Sequence, residues 1–260
     1  MRRYFHVWWH FTSASFQIFF TSRIGAILFL LGKVLRFVFF ISFLIILVSR
    51  TRVMAGYSIW HILLFFLTFN LIDSITQMLF REVYRFRQQI VSGNFDLVLT
   101  KPVSPLFRSL FGWTDLLDFV TLLPFIVFLI FVSFHIPEIS GPGIIYYIVL
   151  VMNALWIAAS FHIMVLALAI LTTEIDHAIM IYRDITSMGK FPVDIYSEPL
   201  RSLVTFALPV GVMMTFPVKA LLGIINISSV VLALSLGLIF FVVSISLWRY
   251  ALIKYTSASS

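Results

Sequence analysis

The sequence predicts an all-α membrane protein of about six transmembrane helices, and three observations carry that expectation. Hydrophobic residues make up 61% of the 260 residues and charged residues only 11%, against roughly a quarter charged in soluble domains. The mean hydropathy is +1.06. The apolar residues fall in runs of spanning length, since a helix rising about 1.5 Å per residue crosses a hydrocarbon core of about 30 Å in about 20 residues. Finally, the 18 Lys and Arg are spread around those runs and form no single basic stripe. The net charge of +7 therefore reads as membrane topology and not as a nucleic-acid footprint.

The elements follow in order. Residues 4–20 are crowded with aromatics yet carry two His, a Gln and several Ser and Thr, which predicts an interfacial segment over 1–23. A first span runs from Ile24 to Val48, with Lys33 and Arg36 in its first half snorkelling toward the side where it starts. The second, Ile59 to Phe80, stops at the basic cluster Arg81, Arg85 and Arg87. The third reaches from Thr114 to Phe134 and ends in the Pro- and Gly-bearing loop HIPEISGPG. The fourth runs from Ile144 to about Leu171, and the last from Ile224 to Trp248. The loop after the second span holds Arg81, Arg85, Arg87, Lys101 and Arg108, and the loop after the third holds no basic residue. By the positive-inside rule the first loop is cytoplasmic. Arg2, Arg3, Arg23, Arg249 and Lys254 put both termini on the same side, so the span count is even. Arg50 and Arg52 dissent.

Between 172 and 223 hydropathy allows two fifth spans. Leu203 to Phe216 is apolar but short and interrupted by Pro209, whereas Thr173 to Phe191 has helical length but carries Asp176, His177, Arg183 and Asp184. A helix so charged must face protein or a water-filled cavity. The whole chain, 1–260, reads as one transmembrane domain.

Catalytic signatures are missing. The sequence holds no H-E-x-x-H helix, no G-x-S-x-G elbow and no G-x-x-x-x-G-K-[ST] phosphate loop. Zero Cys excludes disulfides and thiolate chemistry, and the six His are scattered without ligand spacing. No catalytic, cofactor or metal site is expected on this chain, and it is not expected to be an enzyme. Ile24 to Val48 is too long for a signal-peptide core and lacks a small-residue cleavage site.

The inner loop, residues 81–113, is too long for a simple connector. Its first part reads as a short basic helix broken at Gly93, and its second as an apolar strand or helix turn stopped by Pro102 and Pro105. The pattern S-G-x-F-D-x-x-L-x-x-P-x-S-P-L-F over Ser92 to Phe107 resembles the inner loop of type-2 ABC exporter permeases, in particular a bacterial branch whose genes often come in pairs. The Phe-Pro-x-x-Ile-Tyr element at 191–196, the later Leu-Pro and Phe-Pro, and the ending Trp248 to Ala258 are similar to the same branch.

That resemblance implies a permease subunit in a bacterial cytoplasmic membrane, multi-pass with cytoplasmic termini. It further implies a second permease chain, an identical copy or a related paralogue, and a separate ABC ATPase dimer that holds ATP and Mg. Gly93, Phe95, Asp96, Leu97, Lys101, Pro102 and Pro105 would form the ATPase-coupling element, with Phe95 and Leu97 as apolar anchors for the partner. Thr173 to Phe191 would be the fifth helix, and the region 192–223 would be re-entrant on the outer side.

Polar residues inside spans mark the candidate translocation path: Asn70, Asp73 and Gln77, then Asp176, His177, Arg183 and Asp184. Asn70, Asp73 and Gln77 share one helix face, at offsets of three and seven. That face either glues helices together or lines a cavity. Asp115 and Asp118, at the mouth of the third span, are expected to pair with Arg108 or Lys101. Two functions remain open: an ATP-driven exporter permease for a hydrophobic or amphipathic substrate, and a secondary carrier or membrane enzyme with an unrecognised motif.

Overall fold

The structure, a computed structural model, describes residues 2–21, 23–51, 54–172 and 175–256. Helix α1 (Arg2–Thr21) leads into α2 (Arg23–Thr51) and α3 (Ile59–Phe80). A 3-10 turn, Arg81–Arg85, then opens a chain of short helices: α4 (Phe86–Val91), α5 (Asn94–Leu99) and α6 (Pro105–Phe111). Helices α7 (Leu116–Ser133) and α8 (Gly141–Thr172) follow, then α9 (Ile175–Ser187). Helix α10 (Leu200–Ser202) continues as a π-helix over Leu203–Ala207. A second π-helix, Gly211–Thr215, runs into α11 (Phe216–Leu221), and α12 (Ile227–Lys254) closes the chain. Among the described residues there is no strand beyond one isolated bridge, Met54 with Tyr57. The segment after Gly93 is a helix, and Pro105 starts a helix instead of stopping one, because Pro fits the first helical position and Ser104 caps the Phe107 amide at 3.4 Å.

Five helices, α2, α3 with its inner extension, α7, α8 and α12, are long and apolar enough to cross a membrane. Leu200–Ala207 and Gly211–Leu221 together pass the same test as a pair bent by 77°. Helix α3 is the most buried of the spans, whereas α2 buries little of its surface. The faces that α2, α7 and α12 expose carry Leu28, Phe39, Leu123, Phe131, Leu238 and Val242. Acyl chains cover such faces at no cost.

Contacts fix the relative directions. Trp60 stacks on His135 at 4.2 Å while the Asp115 amide meets the Met78 carbonyl at 3.4 Å, so α3 and α7 are antiparallel. Thr68 meets the Tyr147 hydroxyl at 3.1 Å and Phe80 lies 5.1 Å from His162, so α3 and α8 run the same way. Asn153 donates to the Ala233 carbonyl at 2.9 Å and Trp156 packs on Phe241 at 4.6 Å, so α8 and α12 are also parallel. Two parallel helices force a return, and the chain between 172 and 227 makes it.

Helix α9 folds back on α8, with Tyr182 at 5.4 Å from Phe161 and 4.9 Å from His162. Its 13 residues reach only about 20 Å. A 3-10 turn, Met188–Lys190, and an irregular stretch carry the chain on to Asp194, which accepts the Tyr57 hydroxyl at 3.0 Å beside the start of α3. The bent pair then packs near the start of α8. A Cβ on Gly143 would sit 2.9 Å from the Leu221 carbonyl, so glycine permits the approach. The two chain ends lie at the end of the bundle that carries the 81–113 loop: Tyr4 packs on Phe107 at 4.9 Å, and Tyr255 reaches Asp96.

Candidate functional site

Helices α2, α3, α7 and α9 meet around a cavity of about 690 Å³. Its character follows from which faces they turn inward. From α3 come Asn70, Asp73 and Gln77, and from α9 comes Arg183, so four of the residues singled out in the sequence line one space. Asp184 is exposed and lies outside the lining. The side chains of Asp176 and His177 fall outside the described residues.

The structure adds charges that sequence reasoning placed elsewhere. Lys33 and Arg36 line the cavity from α2, Arg81 from the end of α3, Asp115 and Asp118 from the start of α7, and Lys190 from the turn after α9. Lys33 does reach toward the end where α2 starts, but its target is the Asp118 carboxylate at 2.5 Å and not the headgroup level. Arg81 lies 3.4 Å from both Asp115 and the Gln77 carbonyl oxygen. The expected pairing of these aspartates with Arg108 or Lys101 is thus corrected. Arg108 is held instead by Glu82 at 2.7 Å, a side chain only 4% exposed that also accepts from Gln89 at 2.5 Å. Two charges three residues apart within a 25-residue apolar run were the available signal for an inward-facing wall, because each costs about 2.5–3.5 kcal/mol at a span centre facing lipid.

One wall of the lining is aromatic. Phe66 stacks with Phe40 at 4.5 Å and Phe37 at 5.6 Å, and Phe37 packs on Phe125 at 5.0 Å. Lys190 holds its ammonium 5.8 Å from the centres of both Phe40 and Phe69, a range in which ring quadrupoles attract cations. Asn70 donates to the Phe66 carbonyl one turn back at 2.7 Å, so this amide bonds within its own helix. Asp73 lies within electrostatic reach of Arg183, Arg36 and Lys33.

The inner loop is a folded element. Gly93 takes φ 72° between α4 and α5, a left-handed turn that Gly adopts without a Cβ penalty. Phe95 is fully buried, edge-on to Phe86 at 5.1 Å and to Tyr255 at 5.2 Å, with Trp248 behind at 6.5 Å. Sequence reasoning had Phe95 and Leu97 as exposed anchors together. Two positions apart on a helix they face different ways, and Leu97 alone is outward, 61% exposed. Lys101 and Pro102 are exposed at the turn before α6, and Pro105 is its first residue. The Tyr255 hydroxyl donates to Asp96 at 2.8 Å; burial foremost, and then the Asp96 carboxylate, push its pKa up to about 12. At the opposite end, burial and then Asp194 raise the pKa of Tyr57, while Lys219 bridges to Asp194 at 2.8 Å.

The fold is that of a multi-pass helical membrane protein with a charged cavity walled by its own spans. The family model described as ABC-2 family transporter protein matches residues 33–259, and the chain belongs to that family: it is a permease component of an ABC transporter. Neither a curated protein nor a solved structure matches it.

Proposed function

We propose that this chain is the permease subunit of an ATP-driven exporter in a bacterial cytoplasmic membrane, with both termini and the 81–113 loop in the cytoplasm. The observation that carries the reading is the cavity of about 690 Å³ bounded by Asn70, Asp73, Gln77 and Arg183, within the range of about 300–1,000 Å³ for small-molecule sites. A second permease chain, identical or paralogous, completes the path for a hydrophobic or amphipathic substrate. A separate ABC ATPase dimer binds ATP and Mg and supplies the chemical work.

The 86–105 segment couples the two. Gly93, Phe95, Asp96, Leu97, Lys101, Pro102 and Pro105 divide the task. Leu97, with exposed Val91, offers an apolar contact to the ATPase. Phe95 and Asp96 root the segment against Trp248 and Tyr255. A push on α5 therefore reaches α12 through side chains already in contact. The 192–223 region closes the outer end, held by Tyr57, Asp194 and Lys219.

The test is co-expression with a candidate ABC ATPase from the same genome, followed by affinity capture on this chain and ATP hydrolysis in proteoliposomes. Joint purification with hydrolysis that rises on reconstitution is the expected result. An ATPase that neither co-purifies nor responds removes the reading.

A further inference from the structure

Among the described residues, the charges lining the cavity do not balance. Five cations, Lys33, Arg36, Arg81, Arg183 and Lys190, face three carboxylates, Asp73, Asp115 and Asp118. Lys33 is held by Asp118 and Arg81 by Asp115. Among the described residues, Arg36, Arg183 and Lys190 have no ion-pair partner within salt-bridge distance, and Asp73 is the one lining carboxylate left to them. Three minus one leaves two positive charges without a carboxylate in a cavity that is open enough to leave Arg36 and Arg183 exposed, so the site is net positive and accessible to a ligand. Gln77 adds a buried amide nitrogen that meets no acceptor in good hydrogen-bond geometry among the described residues, with Asp73 and Tyr84 nearby.

These donors adjoin a wholly apolar wall. Lys190 sits over Phe40 and Phe69, and Phe40 continues through Phe66 to Phe37 and Phe125. A ligand filling this space must carry negative charge at one end and apolar surface at the other. Arg36 and Arg183 suit a phosphate or carboxylate through their planar donor fork, and Lys190 through its point charge.

We infer that the cavity takes an anionic amphiphile, its phosphate or carboxylate head on Arg36, Arg183 and Lys190 and its tail along Phe37, Phe40 and Phe66. This narrows the substrate class of the permease reading and rests on it. Cationic amphiphiles are rejected by the same charges, since like charge facing like charge selects against a partner. Asp73, between α3 and the cations, is the counter-charge that such a head displaces.

The experiment uses the full chain in phosphatidylcholine nanodiscs and titrates dodecyl phosphate, inorganic phosphate and dodecyltrimethylammonium by calorimetry. Dodecyl phosphate is expected to bind, and neither the tailless anion nor the cation to do so. Arg36→Gln and Lys190→Gln should each weaken dodecyl phosphate by about tenfold or more, the effect of losing one charged hydrogen bond. Arg36→Lys and Lys190→Arg should restore much of it, which separates lost charge from misfolding. Repeating the titration in phosphatidylglycerol discs distinguishes the source. Competition assigns the head to a bilayer lipid, and undiminished binding assigns it to a single-tailed amphiphile from the aqueous phase. Equal binding of the cation, or indifference to both Gln variants, overturns the inference. Capture of the ATPase by the same Gln variants reports on the permease reading separately, because neither residue lies in the 81–113 loop.

Discussion

The Tyr255 hydroxyl donates to the Asp96 carboxylate at 2.8 Å, joining the C-terminal end of α12 to the inner loop across 159 positions of sequence. Tyr255→Phe keeps the ring against Phe95 and removes only this bond. The expected loss is about 1 kcal/mol, seen as faster trypsin cleavage after Arg87. The linkage has a definite sign. The folded pKa of Tyr255, about 12, stands above the ordinary tyrosine value of about 10, so its contribution is full below pH 10 and is lost as pH rises through 12. The difference in tyrosinate absorbance between wild type and Tyr255→Phe should titrate near 12; a midpoint near 10 contradicts the bond.

Phe95 and Leu97 should separate under mutation. Phe95→Ala hollows a fully buried site and is expected to cost about 3 kcal/mol, read as a lower melting temperature in detergent. Leu97→Ala, on an exposed side chain, should leave melting unchanged and reduce capture of the ATPase. Normal capture by Leu97→Ala removes this residue from the docking surface.

Lys33 and Asp118 should behave as a coupled pair. Lys33→Ala leaves a mostly buried carboxylate without its partner, at a cost of about 1–3 kcal/mol after allowing for the 27% exposure of the lysine. The double variant with Asp118→Ala should recover part of that loss. Additive effects in the thermal unfolding cycle would show that the two side chains act independently.

Asp73→Asn preserves shape and removes one negative charge from the cavity. The variant should insert normally and alter substrate-stimulated ATP hydrolysis in the assembled transporter. Unaltered stimulation leaves Asp73 with a packing role alone.

Orientation is open to direct labelling because the chain has no cysteine. A cysteine at exposed Ser140 should react with an impermeant maleimide added to intact cells, and one at exposed Leu97 only after lysis. The reverse pattern inverts the topology.

Much of the bundle was legible because its signals are local. The run from Ile59 to Phe80 is bounded by Ser58 and by a basic cluster, and α3 has those limits. The shared face of Asn70, Asp73 and Gln77 needs only the helical period. The return between 172 and 227 was harder to read, since Arg183 and Asp184 lower the hydropathy of α9 and the bent pair raises its own. Partnerships across helices were out of reach. Lys33 finds Asp118 from 85 positions away and Phe95 is covered by Tyr255, contacts that only packing creates.

The junction of α8 and α12 assigns mechanical roles within the bundle. The Asn153 amide crosses to the Ala233 carbonyl, and a Cβ on Gly237 would come within 2.1 Å of the Asn153 side-chain oxygen. Asn153 thus acts as a key in a slot that fixes the rotational phase of α12 against α8. Helix α2 buries little of its surface yet supplies Lys33 and Arg36, and the Lys33–Asp118 ion pair with the Phe37 and Phe40 stacks on Phe66 ties it to the rest of the chamber wall.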